Sequence, residues 1–121
     1  MVAALLDTNI LIDQLLGVAA ATEELARYHE PAISLLTWIE VLVGATPYEE
    51  PRIRSFLDDF EVVGVDQHVA EEAAQLRRSH RMKLPDAIIW ASARVHGRLL
   101  VTRNTKDFPA GDPGVRHPYQ V

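Results

Sequence analysis

Apolar runs and polar stops alternate along this chain in short units. Val2-Ala3-Ala4-Leu5-Leu6 is apolar throughout and ends abruptly at Asp7-Thr8-Asn9, the pattern of a buried strand feeding a polar loop at its C-terminal end. Ile10–Leu16 reads as a helical turn for which Asn9 is a candidate cap; Gly17 breaks it, and Thr22–His29 continues as a second helix before Pro31. Ala32–Ser34 suits a short strand. Leu35–Ala45 predicts a helix with Trp38, Ile39, Leu42 and Val43 along its apolar stripe, closed by Gly44 and Pro47 and carrying Glu40. Pro51–Phe60 predicts an amphipathic helix, and Glu61–Val65 a strand stopped by Asp66, which is placed to cap the next helix.

That helix runs from about Gln67 to Arg81, with Val69, Ala73 and Leu76 inward and Glu71, Glu72, Gln75 and Arg78 outward. Another starts at Pro85-Asp86 and ends at Gly97; its stretch from Ala87 to Val95 is apolar on nearly all sides, as in a helix buried against a sheet. Leu99-Leu100-Val101 repeats the first strand and stops at Thr102-Arg103-Asn104. Strands alternating with helices predict an α/β fold with a mostly parallel sheet covered on both faces. Such sheets place ligands beyond the carboxyl ends of their strands, where Asp7, Thr102, Asn104 and Asp107 fall.

At 121 residues the chain fits one domain spanning 1–121, large enough to bury about two-thirds of its unfolded surface. It contains no cysteine, so disulfides and thiolate metal sites are excluded and any metal must bind through oxygen or imidazole. The N-terminal apolar run is too short for a signal or a membrane span, which makes the cytoplasm the expected compartment. A net charge of −5 argues against nucleic-acid binding through a general positive field. It leaves room for a local patch: Arg77, Arg78, Arg81 and Lys83 precede Asp86, and Arg103 and Lys106 precede Asp107. Arg77 to Lys83 also fit the solvated end of a helix, where cations favour the negative C-terminus.

Taken singly, Asp7, Asp86 and Asp107 each have a structural explanation as a cap, a helix-start residue or a loop decoration. Glu40 interrupts the apolar run from Trp38 to Val43, where an unpartnered carboxylate is expensive to bury. Carboxylates drawn together raise one another's pKa unless a cation neutralises them. Mg²⁺ or Mn²⁺ suits such a set, because these hard ions prefer carboxylate and water oxygens and acidify a bound water for phosphodiester attack. No two of the five histidines stand at the spacing that puts paired imidazoles on one helix face, which disfavours zinc. His96 fits a helix end, and Trp38 and Trp90 fit core packing.

The segments Leu5-Leu6-Asp7-Thr8-Asn9-Ile10-Leu11-Ile12, the helix carrying Glu40, Leu84-Pro85-Asp86-Ala87-Ile88-Ile89-Trp90-Ala91-Ser92-Ala93 and Leu100-Val101-Thr102-Arg103-Asn104-Thr105-Lys106-Asp107-Phe108 resemble, in order, the successive signatures of PIN-domain ribonucleases. The resemblance is closest to VapC-type toxins of bacterial and archaeal toxin–antitoxin pairs and covers essentially the whole chain. It implies a PIN-like α/β/α sandwich in which Asp7, Glu40, Asp86 and Asp107 hold metal and carry catalysis, while Thr8, Asn9, Thr102 and Asn104 orient the carboxylates or the attacking water. It further implies Mg²⁺- or Mn²⁺-dependent hydrolysis of RNA to a 5′-phosphate and a 3′-hydroxyl, homodimerisation, and inhibition by a VapB-type antitoxin. Pro85 before Asp86 and Trp90, where smaller residues are more usual, depart from the pattern.

Three other readings use the same residues. A receiver-type signalling domain would take Asp66 as phosphoacceptor, but it needs an acidic pair after the first strand. A haloacid-dehalogenase-like phosphatase needs an acid at position 9, which is Asn. A catalytically inactive PIN-like interaction module would keep the fold without turnover.

Overall fold

A computed structural model describes residues 2–121. The strands β1 (Ala4–Leu6), β2 (Ala32–Ser34), β3 (Glu61–Val63), β4 (Leu99–Val101) and β5 (Val115–Arg116) form one sheet in the order β3-β2-β1-β4-β5, and every neighbouring pair is parallel. The helices are α1 (Thr8–Leu15), α2 (Ala19–Leu25), α3 (Leu35–Val43), α4 (Glu50–Leu57), α5 (Gln67–His80) and α6 (Leu84–Val95).

Strand β1 is central, and side chains alternate across it. Leu5 joins Val69, Ala73, Leu76, Trp90 and Phe108 beneath α5 and α6. Ala4 and Leu6 join Ile10, Leu11, Val41, Ile53 and Leu57 beneath α1, α3 and α4. A strand buried on both faces needs a continuous apolar run, which is what precedes Asp7. Trp90 is 1% exposed, with its ring edge-on to Phe108 at 5.9 Å and to His80 at 5.0 Å. The departure from the family pattern at this position is thus a core-filling residue, as its apolar surroundings predict. Among the described residues no helix is long and apolar enough to cross a membrane.

Several boundaries differ from those the pattern predicts. Strand β1 begins at Ala4, since Val2 is 59% exposed and lies outside the sheet. Helix α2 occupies Ala19–Leu25 rather than Thr22–His29: the chain leaves the helix at Ala26, and Glu30 turns it with φ of 52°. On α3 the inward residues are Thr37 and Val41, with Trp38 and Leu42 half-buried, whereas Ile39 and Val43 face outward. Strand β5 follows a loop rich in Gly and Pro and is too short to show a period. Asp66 does cap α5, accepting from the Val69 N–H at 2.9 Å; its carboxylate is engaged as a helix terminus, which removes the main support for the receiver reading.

Candidate active site

Asp7 ends β1 and starts α1. Its Oδ1 accepts from the Thr8 N–H at 2.8 Å, so Asp7, not Asn9, caps α1. Its neighbour across the sheet is set by register: Leu6 pairs with Val101, the Asp7 N–H donates to the Val101 carbonyl at 2.9 Å, and Thr102 therefore emerges beside Asp7. Thr102 Oγ1 donates to Asp7 Oδ2 at 2.7 Å, and Asn9 Nδ2 reaches the same oxygen at 3.2 Å. The carboxylate is only 5% exposed and each oxygen has a donor.

Asn9 and Thr102 tie α1 to the loop after β4. Thr102 Oγ1 accepts from the Asn104 N–H at 3.0 Å, while Asn9 Oδ1 accepts from the Arg103 N–H at 3.1 Å. Asn104 then organises the next turn: its Oδ1 accepts from the N–H groups of Lys106 and Asp107, and its Nδ2 donates to Asp107 Oδ2 at 2.9 Å. Thr102→Val keeps the shape but leaves Asp7 without its shortest donor and the Asn104 N–H without its acceptor. It should destabilise the protein by about 1–3 kcal/mol, and urea unfolding above pH 7, where Asp7 is charged, measures this.

Glu40 is exposed on α3, so it does not carry the burial cost its neighbours suggest. Thr8 Oγ1 donates to Glu40 Oε1 at 2.7 Å and stands 3.0 Å from the buried Thr37 hydroxyl. The hydroxyl next to Asp7 thus holds the Glu40 side chain toward the end of β1. Asp86 lies half-buried in the first turn of α6.

Electrostatics bind these four acids into one field. Burial pushes the Asp7 carboxyl up from 3.8 to about 6, against the bonds from Thr102 and Thr8, with the charges of Asp86 and Glu40 adding to the rise. Burial also raises the Asp86 carboxyl, helped by Asp107 and Glu40 and opposed by Lys83. Among the described residues, no three carboxylates or imidazoles already close around a single point. The arrangement is an open bowl of oxygen donors at the carboxyl ends of β1 and β4. Such a donor set fits a hard cation that keeps several of its own waters rather than one caged entirely by protein.

Arg103 does not face this bowl. Its Nε and Nη2 donate to the two oxygens of Asp13 at 2.5 and 3.2 Å, and Tyr119 Oη donates to Asp13 Oδ2 at 2.8 Å. The bond to Asp13 holds the Arg103 guanidinium above its usual pKa. A phosphate-holding role for Arg103, suggested by its place before Asp107, is therefore set aside. A parallel clasp joins Glu24, 4% exposed, to Arg116 at 2.7 and 3.0 Å and to Tyr28. Burial opposes ionisation of Glu24, but Arg116 and Tyr28 together hold its carboxyl below the usual range. Neither clasp was expected from the sequence. The available signal was Asp13 itself, a charge on the same helical face as Ile10.

The family profile described as PIN domain matches residues 4–111. A tRNA(fMet)-specific endonuclease VapC from Shigella flexneri is 30% identical, the match covering 89% of this chain and 91% of that protein. Among solved structures, a toxin–antitoxin complex from Klebsiella pneumoniae contains a chain 49% identical, with a TM-score of 0.93 over 98% of this chain and 100% of that one. DNA-bound VapBC from Salmonella typhimurium contains one 25% identical, with a TM-score of 0.79 over 96% of each chain. The sheet order, the acids at its carboxyl end and these likenesses agree: the chain belongs to the PIN-domain family, where it stands with the VapC-type proteins.

Proposed function

We propose that this protein is a metal-dependent endoribonuclease and the toxin half of a VapBC-type toxin–antitoxin pair. The observation that carries this reading is the buried Asp7 carboxylate, fixed by Thr102, Asn9 and the Thr8 N–H inside the field of Asp86 and Glu40. Asp7, Glu40, Asp86 and Asp107 would hold Mg²⁺ or Mn²⁺. Such an ion, when bound, neutralises the carboxylates and acidifies a water for attack on a phosphodiester. The chain's own contribution is orientation. Thr102 and Asn9 direct the Asp7 oxygens, Thr8 directs Glu40, and Asn104 directs Asp107. Asp7, Glu40 and Asp107 are thus oriented before substrate arrives.

Purified protein is expected to cut single-stranded or loop RNA with Mg²⁺ or Mn²⁺ and to stop in EDTA. Cleavage that persists in chelator, from protein cleared of contaminating nuclease, rejects the metal mechanism; silence with and without metal leaves an inactive PIN module. Asp107→Asn should be milder than Asp86→Asn, because Asn104 already holds position 107 and either amide or carboxylate can accept its bond.

The toxin assignment draws on the Klebsiella and Salmonella complexes, whose names record toxin–antitoxin and VapBC assemblies. It is supported by a groove of about 310 Å³ between α1, α3 and α4, lined by Ile12, Leu15, Leu16, Val41 and Ile53 with Glu40 on its wall. Ile12 and Leu16 are 42% and 76% exposed. An amphipathic antitoxin helix laid there would cover this apolar surface and Glu40 together. Induction of the chain should arrest bacterial growth, Asp7→Asn should relieve the arrest, and co-expression of the cognate antitoxin should suppress it. We also assign it a homodimeric state, which light scattering of the purified protein tests.

A further inference from the structure

Half of the cations in this acidic chain have a carboxylate partner. Among the described residues Arg27, Arg54, Arg94, Arg98, Arg103 and Arg116 form salt bridges. The remaining cations are Arg52, Arg77, Arg78, Arg81, Lys83 and Lys106, and four of these lie between positions 77 and 83. Arg77, Arg78 and Arg81, together with Ala74, Met82 and Leu84, line a cleft of about 500 Å³ where α5 turns into α6. Lys83 is the residue at the N-terminal boundary of α6, whose first turn carries Asp86.

A helix-end role does not account for this grouping. One cation near a helix C-terminus contributes about 0.3–1 kcal/mol, but Arg77, Arg78 and Arg81 are like charges lining one cleft, and their mutual repulsion offsets part of that gain. Arg81 also occupies the left-handed region with φ of 52°. Glycine adopts that conformation without the roughly 1–2 kcal/mol that a side chain adds there. The turn thus keeps a guanidinium where backbone geometry favours glycine.

We propose that this cleft is a backbone-phosphate track that holds the RNA strand beside the scissile phosphate at Asp86. The proposal rests on the nuclease reading and extends it. Its cations would contact phosphates without regard to base, and Lys83 would bridge from the cleft to the acidic bowl, where its charge already acts on Asp86. In a chain of net charge −5, concentrating unpaired cations on one helical hairpin confines the strand to one approach.

The test uses the cleavage-inert Asp7→Asn protein, with RNA binding followed by fluorescence anisotropy across a salt series. Adding Arg77→Gln and Arg81→Gln should weaken binding at least tenfold. It should also flatten the slope of log affinity against log salt by about 1.4, since each lost single-strand phosphate contact contributes about 0.7. In the active protein the same pair should raise KM for a long RNA and spare kcat. Wild-type protein that binds through the cleft yet cuts nothing supports the track while removing the nuclease reading. Equal weakening by the charge-matched pair Arg54→Gln and Arg94→Gln overturns the proposal in favour of a general field. It is also overturned by unchanged or absent RNA binding, whether the cleft variant loses only thermal stability or only its hold on an antitoxin peptide.

Discussion

Asp7→Asn is expected to lower RNA cleavage by at least about 10³-fold, the equivalent of several kcal/mol of transition-state stabilisation, while making the metal-free protein more stable above pH 7. The second half is a matter of linkage. Folding raises the Asp7 carboxyl from 3.8 to about 6, so the folded state favours the protonated form. No penalty exists below pH 3.8; it grows as pH rises toward about 6 and is complete above that value, amounting to about 3 kcal/mol. Asparagine escapes it but offers one accepting oxygen where Asp7 uses two, a loss of about 1 kcal/mol. The net gain of about 1–2 kcal/mol should appear as a higher midpoint in thermal melts at pH 8 with EDTA, and should vanish near pH 4. Added Mg²⁺ should stabilise the wild type and leave the variant unmoved. A variant that unfolds, or that still turns over normally, removes Asp7 from its assigned role.

The largest stability loss is expected away from the acids. Asp13→Ala should cost about 2–3 kcal/mol: breaking a buried pair typically costs about 3–5 kcal/mol, and here the Arg103 side chain is 31% exposed and regains some water. The effect should reach the bowl as well. Arg103 donates through its backbone to Asn9 and through its side chain to Asp13, so the loop bearing Asn104 and Asp107 is fastened to α1 at two points. Asp13→Ala should therefore reduce kcat more than it raises KM for RNA. Asp13→Asn, whose single amide oxygen can still accept from Arg103 Nε and Tyr119 but not from Arg103 Nη2, should recover part of both losses. Equal kcat in Asp13→Ala and wild type would confine the clasp to folding.

The strands were legible where burial is two-sided. Leu5-Leu6 and Leu100-Val101 are continuous apolar runs because β1 and β4 are covered on both faces, and the polar residues that end them mark the carboxyl edge of the sheet. Asp66 was legible as a cap because capping is local. The acid set came from resemblance in part, since nothing in spacing alone brings Asp86 to Asp7. A charge among apolar residues does signal a partnered carboxylate, but the residue of that kind is the buried Asp13 rather than Glu40, which is exposed. Its partners lie at Arg103 and Tyr119, and a single sequence carries no local trace of pairings that distant. Strand β5 escaped for a related reason: two residues form a strand only because β4 supplies the edge.

The hydrogen bond between Thr102 and Asp7 joins residues 95 positions apart in a chain that is made in one direction. At roughly 5–20 residues per second, the ribosome releases Thr102 roughly 5–20 s after Asp7. Until then β1 lacks the neighbour that completes its environment, and α1 has a cap without its counterpart. Sheets whose central strand must await a late partner also close slowly, because the intervening loop must be ordered first. The Asp7 carboxylate thus gains its shortest hydrogen bond only once Thr102 has been made, so a nascent chain up to that point presents scattered acids rather than an assembled site.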